Sequence, residues 1–150
     1  MTASERVLSV LLRVCGAVAG LAVVAVFMPR VWIGACHECL GLGPFPDAPV
    51  AEYLARSLSM FYALAGAVFW LLGGDVRRNR RAIGVAGAAM VVSGLVLLVI
   101  DLRAGMPGWW VASEGPWAVV LGAVILALRA RAGAGTQGAP RARQGGGPLP

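Results

Sequence analysis

The sequence is poor in charge and contains no lysine at all. Charged residues make up 13% of the 150, hydrophobic residues make up 59%, and the mean hydropathy is +0.78. An ordinary soluble domain carries about 25% charged and 45–50% apolar residues. Small domains bury the smallest fraction of their surface, so a chain of this length cannot hide that much apolar area from water. Lipid must cover the remainder. Strict apolar–polar alternation is also missing, which excludes a membrane β-barrel. Lysine is absent while Ala, Gly, Val and Pro are abundant, the composition of a GC-rich bacterial coding sequence. The net charge of +6 comes from thirteen arginines. They do not cluster beside aromatic or polar readers, so nucleic acid is not the expected partner.

Four apolar runs are present, and the expected spans are 7–28, 55–74, 82–101 and 113–130. Crossing a hydrocarbon layer of roughly 30 Å takes about 20 apolar residues in a helix. The fourth run has a shorter apolar core. Trp117 at one interface, Arg129 and Arg131 snorkelling to the other, and a helix start at Ser113 and Pro116 lengthen it. The expected fold is therefore an all-α membrane protein, a four-transmembrane-helix bundle. A short external interfacial helix begins at Pro29 and is closed by Gly41 and Gly43, and the next helix opens near Asp47 with Pro49 in its first turn. Residues 132–150, rich in Gly, Pro and Arg, read as a disordered cytoplasmic tail.

Ten arginines fall at the chain ends and in the loop between spans two and three, against Arg30, Arg56 and Arg103 on the opposite side. The positive-inside rule then expects both termini in the cytoplasm, with the protein in a bacterial inner membrane. No Ala-x-Ala exit site follows the first span, which is read as retained. Residues 28–32 (Met-Pro-Arg-Val-Trp) and 106–110 (Met-Pro-Gly-Trp-Trp) form a faint internal repeat, as a duplicated helical hairpin would produce. Small residues four apart, Gly16 with Gly20, Ala63 with Ala67, Gly84 with Ala88 and Ala118 with Gly122, are the expected helix-packing contacts. A homo-oligomer seam is the minority reading of the same residues.

Ionisable groups near a bilayer need a partner or a route to water. Glu52 and Arg56, four apart with the acid first, suit a helical ion pair. With His37, Glu38, Asp47 and Asp101 they lie on the outer side, as a converging polar pocket or as separate structural pairs. Cys36-His37-Glu38-Cys39 carries a C-x-x-C, whose thiols can cycle with a disulfide or bind metal. A closed zinc site needs four ligands, and Cys15, the remaining cysteine, belongs to the first span near the opposite leaflet. No cofactor is identifiable.

Four spans with a C-x-x-C in the first external loop resemble the quinone-linked disulfide-forming membrane oxidoreductases. The resemblance implies that Cys36 and Cys39 are the redox pair, but the second external loop lacks the second cysteine pair of that family. Other stretches resemble small uncharacterised four-helix bacterial inner-membrane proteins. These are Met28-Pro29 with Trp32, His37 with Leu40-Gly41-Leu42-Gly43, Glu52-Tyr53-Leu54-Ala55-Arg56-Ser57, Asp75 with Arg77-Arg78, Ile100-Asp101, and Gly105-Met106-Pro107 with Trp109-Trp110 and Glu114-Gly115-Pro116. That likeness implies the fold and no activity.

The leading expectation is a non-enzymatic accessory or binding component with an outer polar cluster, meeting the lipid bilayer and a membrane or periplasmic protein partner. Thiol–disulfide exchange by Cys36 and Cys39 is the enzymatic alternative, and a small transporter component is the third. A periplasm-active reporter fused after Arg131 should be silent, and strong activity there would overturn the orientation.

Overall fold

The computed structural model describes residues 1–137, with side chains through residue 133; the expected tail lies outside the described residues from 138 onward. Among the described residues, seven helices run α1 Ala3–Gly20, α2 Val23–Phe27, α3 Arg30–Cys39, α4 Pro49–Gly74, α5 Arg80–Ala104, α6 Gly108–Ser113 and α7 Gly115–Gln137. Four segments of these residues are long and apolar enough to cross a bilayer: Ala3–Phe27, Pro49–Gly74, Arg80–Ala104 and Gly108–Gly133. The fold is thus an all-helical bundle of four membrane-crossing segments. Their outward faces, with Val10, Val18, Phe61, Leu71, Val85 and Val92 among them, are exposed apolar side chains of the kind a bilayer covers.

Local signals explain the ends of the helices. Thr2 and Glu5 form a reciprocal capping box on α1. Pro49 occupies the first turn of α4, where its missing N–H costs nothing. Gly105 ends α5 at φ 67° and donates its N–H to the Asp101 carbonyl, a left-handed cap that glycine adopts without strain. The first span is not one continuous helix. The Leu21 N–H is shared between the Ala17 and Val18 carbonyls and the Ala22 N–H bonds three residues back to Ala19, a tightened turn that redirects the chain into α2. At the far end α7 passes residue 131 and remains helical to Gln137.

The four segments are organised as two hairpins. The most extensive contacts join α1 to α4 and α5 to α7, while α1 and α7 make the principal bridge between the pairs. Each hairpin closes on glycines seven residues apart, which share a face after two turns. In the first, a methyl at Gly16 would stand 2.7 Å from the Gly66 oxygen and 2.7 Å from the Trp70 nitrogen, and one at Gly73 would stand 3.0 Å from the Ser9 oxygen. In the second, a methyl at Gly94 would stand 2.6 Å from the Gly115 oxygen and 2.8 Å from the Val119 nitrogen, and one at Gly122 would stand 2.7 Å from the Gly87 oxygen. Residues 9, 16 and 29 correspond to 87, 94 and 107, and residues 66 and 73 to 115 and 122. Pro29 and Pro107 match as well. Each stands extended before a short helix, and its carbonyl accepts from the N–H groups three and four residues on. The faint sequence repeat therefore marks two hairpins of one geometry.

Of the expected packing residues, Gly16 and Gly122 lie at these contacts, and Gly84 faces the Arg129 side chain. A methyl at Gly20 would meet nothing within 4 Å; its backbone nitrogen, not its side-chain face, approaches Gly66. Ala67 and Ala88 are exposed, and the close approaches run one residue earlier, through Gly66 and Gly87. Lipid tails are as apolar as leucine, so close backbone packing supplies much of the attraction between such helices.

The hairpins meet at the end that carries the start of α1 and the last turns of α7. Leu8, Leu12, Val76, Ile83 and Ile125 form the buried core there. Arg77 grips Glu5 through both carboxylate oxygens, at 2.7 and 2.9 Å, which ties the start of α1 to the turn between hairpins. Arg129 donates to the Arg80 carbonyl at 2.8 Å and ties α7 to the start of α5. Gly66→Ala should destabilise the protein by about 1–3 kcal/mol, the scale of overpacking. Gly20→Ala should stay within about 0.5 kcal/mol. Unfolding in mixed micelles measures both, and equal losses would contradict the glycine contacts.

Candidate functional site

The polar residues expected to converge are placed in separate local arrangements. His37 lies on α3, with Nδ1 2.8 Å from the Gly43 carbonyl oxygen and its ring edge-on to Phe45. Glu38 is exposed. Arg56 binds Glu52 at 2.7 and 3.0 Å and also donates to the carbonyls of Val26 and Met28, the second at 3.0 Å. Those carbonyls belong to the last turn of α2 and to its cap residue, where helical partners have run out. The Glu52–Arg56 pair is therefore a clamp on the end of the first span, with the carboxylate orienting the guanidinium. Among the described residues, that pair is the one direct hydrogen-bonded contact within the set His37, Glu38, Glu52, Arg56 and Asp101.

Cys36 and Cys39 are free and exposed on α3, and Cys15 is free and half-buried on α1. Among the described residues no group of three or more His, Cys, Asp or Glu side chains is placed to hold a metal ion. Asp47 pairs with Arg30 at 2.8 Å, a surface contact that closes the α3–α4 loop.

A different site emerges between the hairpins. They are joined at the end with the start of α1, and toward the α3 and α6 end they leave a cleft of about 590 Å³. Small side chains make room for it: Ala19 on α1, Ala65 on α4, Ala86 and Ala89 on α5, and Ala118 on α7. Phe69, Met90, Leu97, Trp117 and Leu121 give it apolar walls. Cys15 and Ser93 are the polar exceptions along its length, and Tyr62, Ser113 and Glu114 stand at the end toward α6. The size is that of a ligand pocket, which is typically apolar with a few convergent polar groups.

Glu114 is the polar hub of that end. It occupies the junction between α6 and α7, where its carboxylate accepts from the indole N–H of Trp110 and from the Tyr62 hydroxyl at 3.4 Å. Asp101 stands on the neighbouring helix. Residues 86, 90, 93 and 97 line the cleft from α5 at helical spacing, and 101 continues that face by one turn. Asp101 is 5% exposed, and its Oδ2 has no hydrogen-bond partner among the described residues. Gly115, next to Glu114, packs against Leu98 of α5, one turn before Asp101, which sets both carboxylates at the same end of the second hairpin.

Tyr62, Glu114 and Trp110 form a hydrogen-bonded cluster, three residues that sequence reasoning did not select, and Asp101 lies one turn beyond the cleft-lining face of α5. Tyr62 reads as one more aromatic in an apolar run, and Glu114 as part of a loop. Their shared location depends on how the hairpins are set against each other. Replacing Arg56 by Gln should lower stability by about 1–3 kcal/mol, since two carbonyls and a carboxylate lose their donor. A thermal melt with no loss would show that the clamp is dispensable.

No protein-family model, curated protein or solved structure matches this chain.

Proposed function

We propose that the chain is a non-enzymatic binding component of a bacterial inner membrane, with both termini cytoplasmic, and that it receives an apolar molecule in the cleft between its hairpins. The observation that carries this reading is the cleft: about 590 Å³, walled by alanines and aromatic residues, with its carboxylate at the outer end. The arginine distribution supports the orientation. A pocket of this character surrounds the body of a ligand with apolar walls and fixes one end with a few polar groups. In that orientation the mouth lies toward the outer leaflet, from which a lipid-dissolved molecule enters sideways.

A neutral benzophenone amphiphile, photolysed with the protein in lipid nanodiscs, tests this reading. Peptide mapping should place the adducts on cleft residues such as Tyr62, Met90 and Trp117. Ala89→Trp, which fills the cleft, should reduce those adducts about tenfold, the effect of losing about 1.4 kcal/mol of binding. Adducts confined to the outward belt would overturn the proposal. Cys36→Ser with Cys39→Ser should leave the pattern unchanged, whereas its loss would favour the thiol–disulfide reading.

A further inference from the structure

Building on the cleft reading, we infer that the ligand is a lipophilic cation, with its apolar body between the hairpins and its positive head between Glu114 and Asp101. Three observations on different elements lead there. First, the cleft places Tyr62, Phe69 and Trp117 around an apolar volume, and aromatic faces attract a desolvated cation as well as apolar surface. Second, Glu114 brings a carboxylate to the outer end, where the groups that hold it, the indole N–H of Trp110 and the hydroxyl of Tyr62, are neutral. Its charge is oriented but not cancelled.

Third, Asp101 is almost wholly buried, with an unpartnered carboxylate oxygen, one turn above the α5 residues that line the cleft. A buried polar atom without a partner is costly, and ionisable groups within a membrane protein mark sites of binding or transfer. Among the described residues no arginine pairs with either carboxylate: the ion pairs join Arg30 to Asp47, Arg56 to Glu52 and Arg77 to Glu5. Arg103, two residues from Asp101, is exposed and makes no ion pair among the described residues. A positive head held at Glu114, on the side toward Asp101, offsets the charge of both carboxylates.

The same charges exclude other occupants. A phospholipid, even a zwitterionic one, would carry its phosphate to the mouth beside two uncompensated carboxylates. An anionic amphiphile would be repelled outright, and a neutral one would leave Asp101 as it is. The fitting class is an amine, quaternary ammonium or phosphonium on a compact aromatic or branched apolar body, free of phosphate.

Tetraphenylphosphonium and tetraphenylborate have nearly the same shape and opposite charge, so competition against the neutral photolabel in nanodiscs separates charge from size. The cation should suppress labelling of the cleft and the anion should not. Glu114→Gln and Asp101→Asn, which preserve side-chain shape, should each weaken that suppression about tenfold. Entry of the neutral label into the cleft of either variant shows that it has folded. Equal suppression by both ions, or suppression insensitive to both substitutions, overturns the cation assignment and leaves the cleft reading standing. If the neutral label does not enter the cleft of the unmodified protein, both fall. Suppression by added phospholipid in place of the cation would identify a lipid occupant and overturn the inference.

Discussion

The close approach of helix backbones at paired glycines is the constraint on which the rest of this structure depends. In water, a bundle this small would be held by burying leucine and isoleucine away from solvent. In lipid that gain largely disappears, because tails and side chains are alike. What remains is contact, and contact is greatest where no side chain intervenes. Gly16 against Gly66, and Gly94 against Gly115, bring backbone atoms into direct touch, so any β-carbon at these positions would collide with a main-chain oxygen. The chain therefore resolves into two tightly joined pairs instead of four equivalent helices.

That resolution determines where space is left. Two rigid hairpins meet over a limited surface, and here they do so through Leu8, Leu12 and Ile125 at the end with the start of α1, with Glu5 and Arg77 tying the strands of chain together. Beyond that contact alanines line the facing surfaces, at positions 19, 65, 86 and 89, and the hairpins cannot close the gap they leave. The cleft is the geometric remainder of strong packing within each pair and weaker packing between them. Glu114 lies at a helix junction and Asp101 in the last turn of a spanning helix, so the polar groups are concentrated at the open end.

Much of the architecture was legible in the sequence because it follows from hydropathy and punctuation. The four spans come from the apolar runs. The start of α4 at Pro49 and the end of α3 before Gly41 come from residues with few alternatives. The hairpin repeat was visible only as Met-Pro with nearby tryptophan, since the shared feature is glycine spacing across two helices with loops of different length. Packing was misplaced by one residue at Gly66 and Gly87 because four-residue spacing of small residues was sought where the contacts recur every seven. Arg56 was read beside Glu52 correctly, but its carbonyl partners Val26 and Met28 are 30 and 28 residues away and carry no side-chain signal. Glu114 and Tyr62 are 52 residues apart, and only the pairing of hairpins brings them together.

The central claim is that two rigid hairpins are joined at one end and parted at the other. Pulsed electron paramagnetic resonance in nanodiscs tests it most directly, using spin-label pairs in a background where the three cysteines are replaced. Pairs within a hairpin should give short, narrow distances at both ends. Pairs across the hairpins should be short at the end with the start of α1 and longer at the α3 and α6 end. Equally short distances across both ends would describe a closed four-helix bundle without a cleft, and would contradict the account.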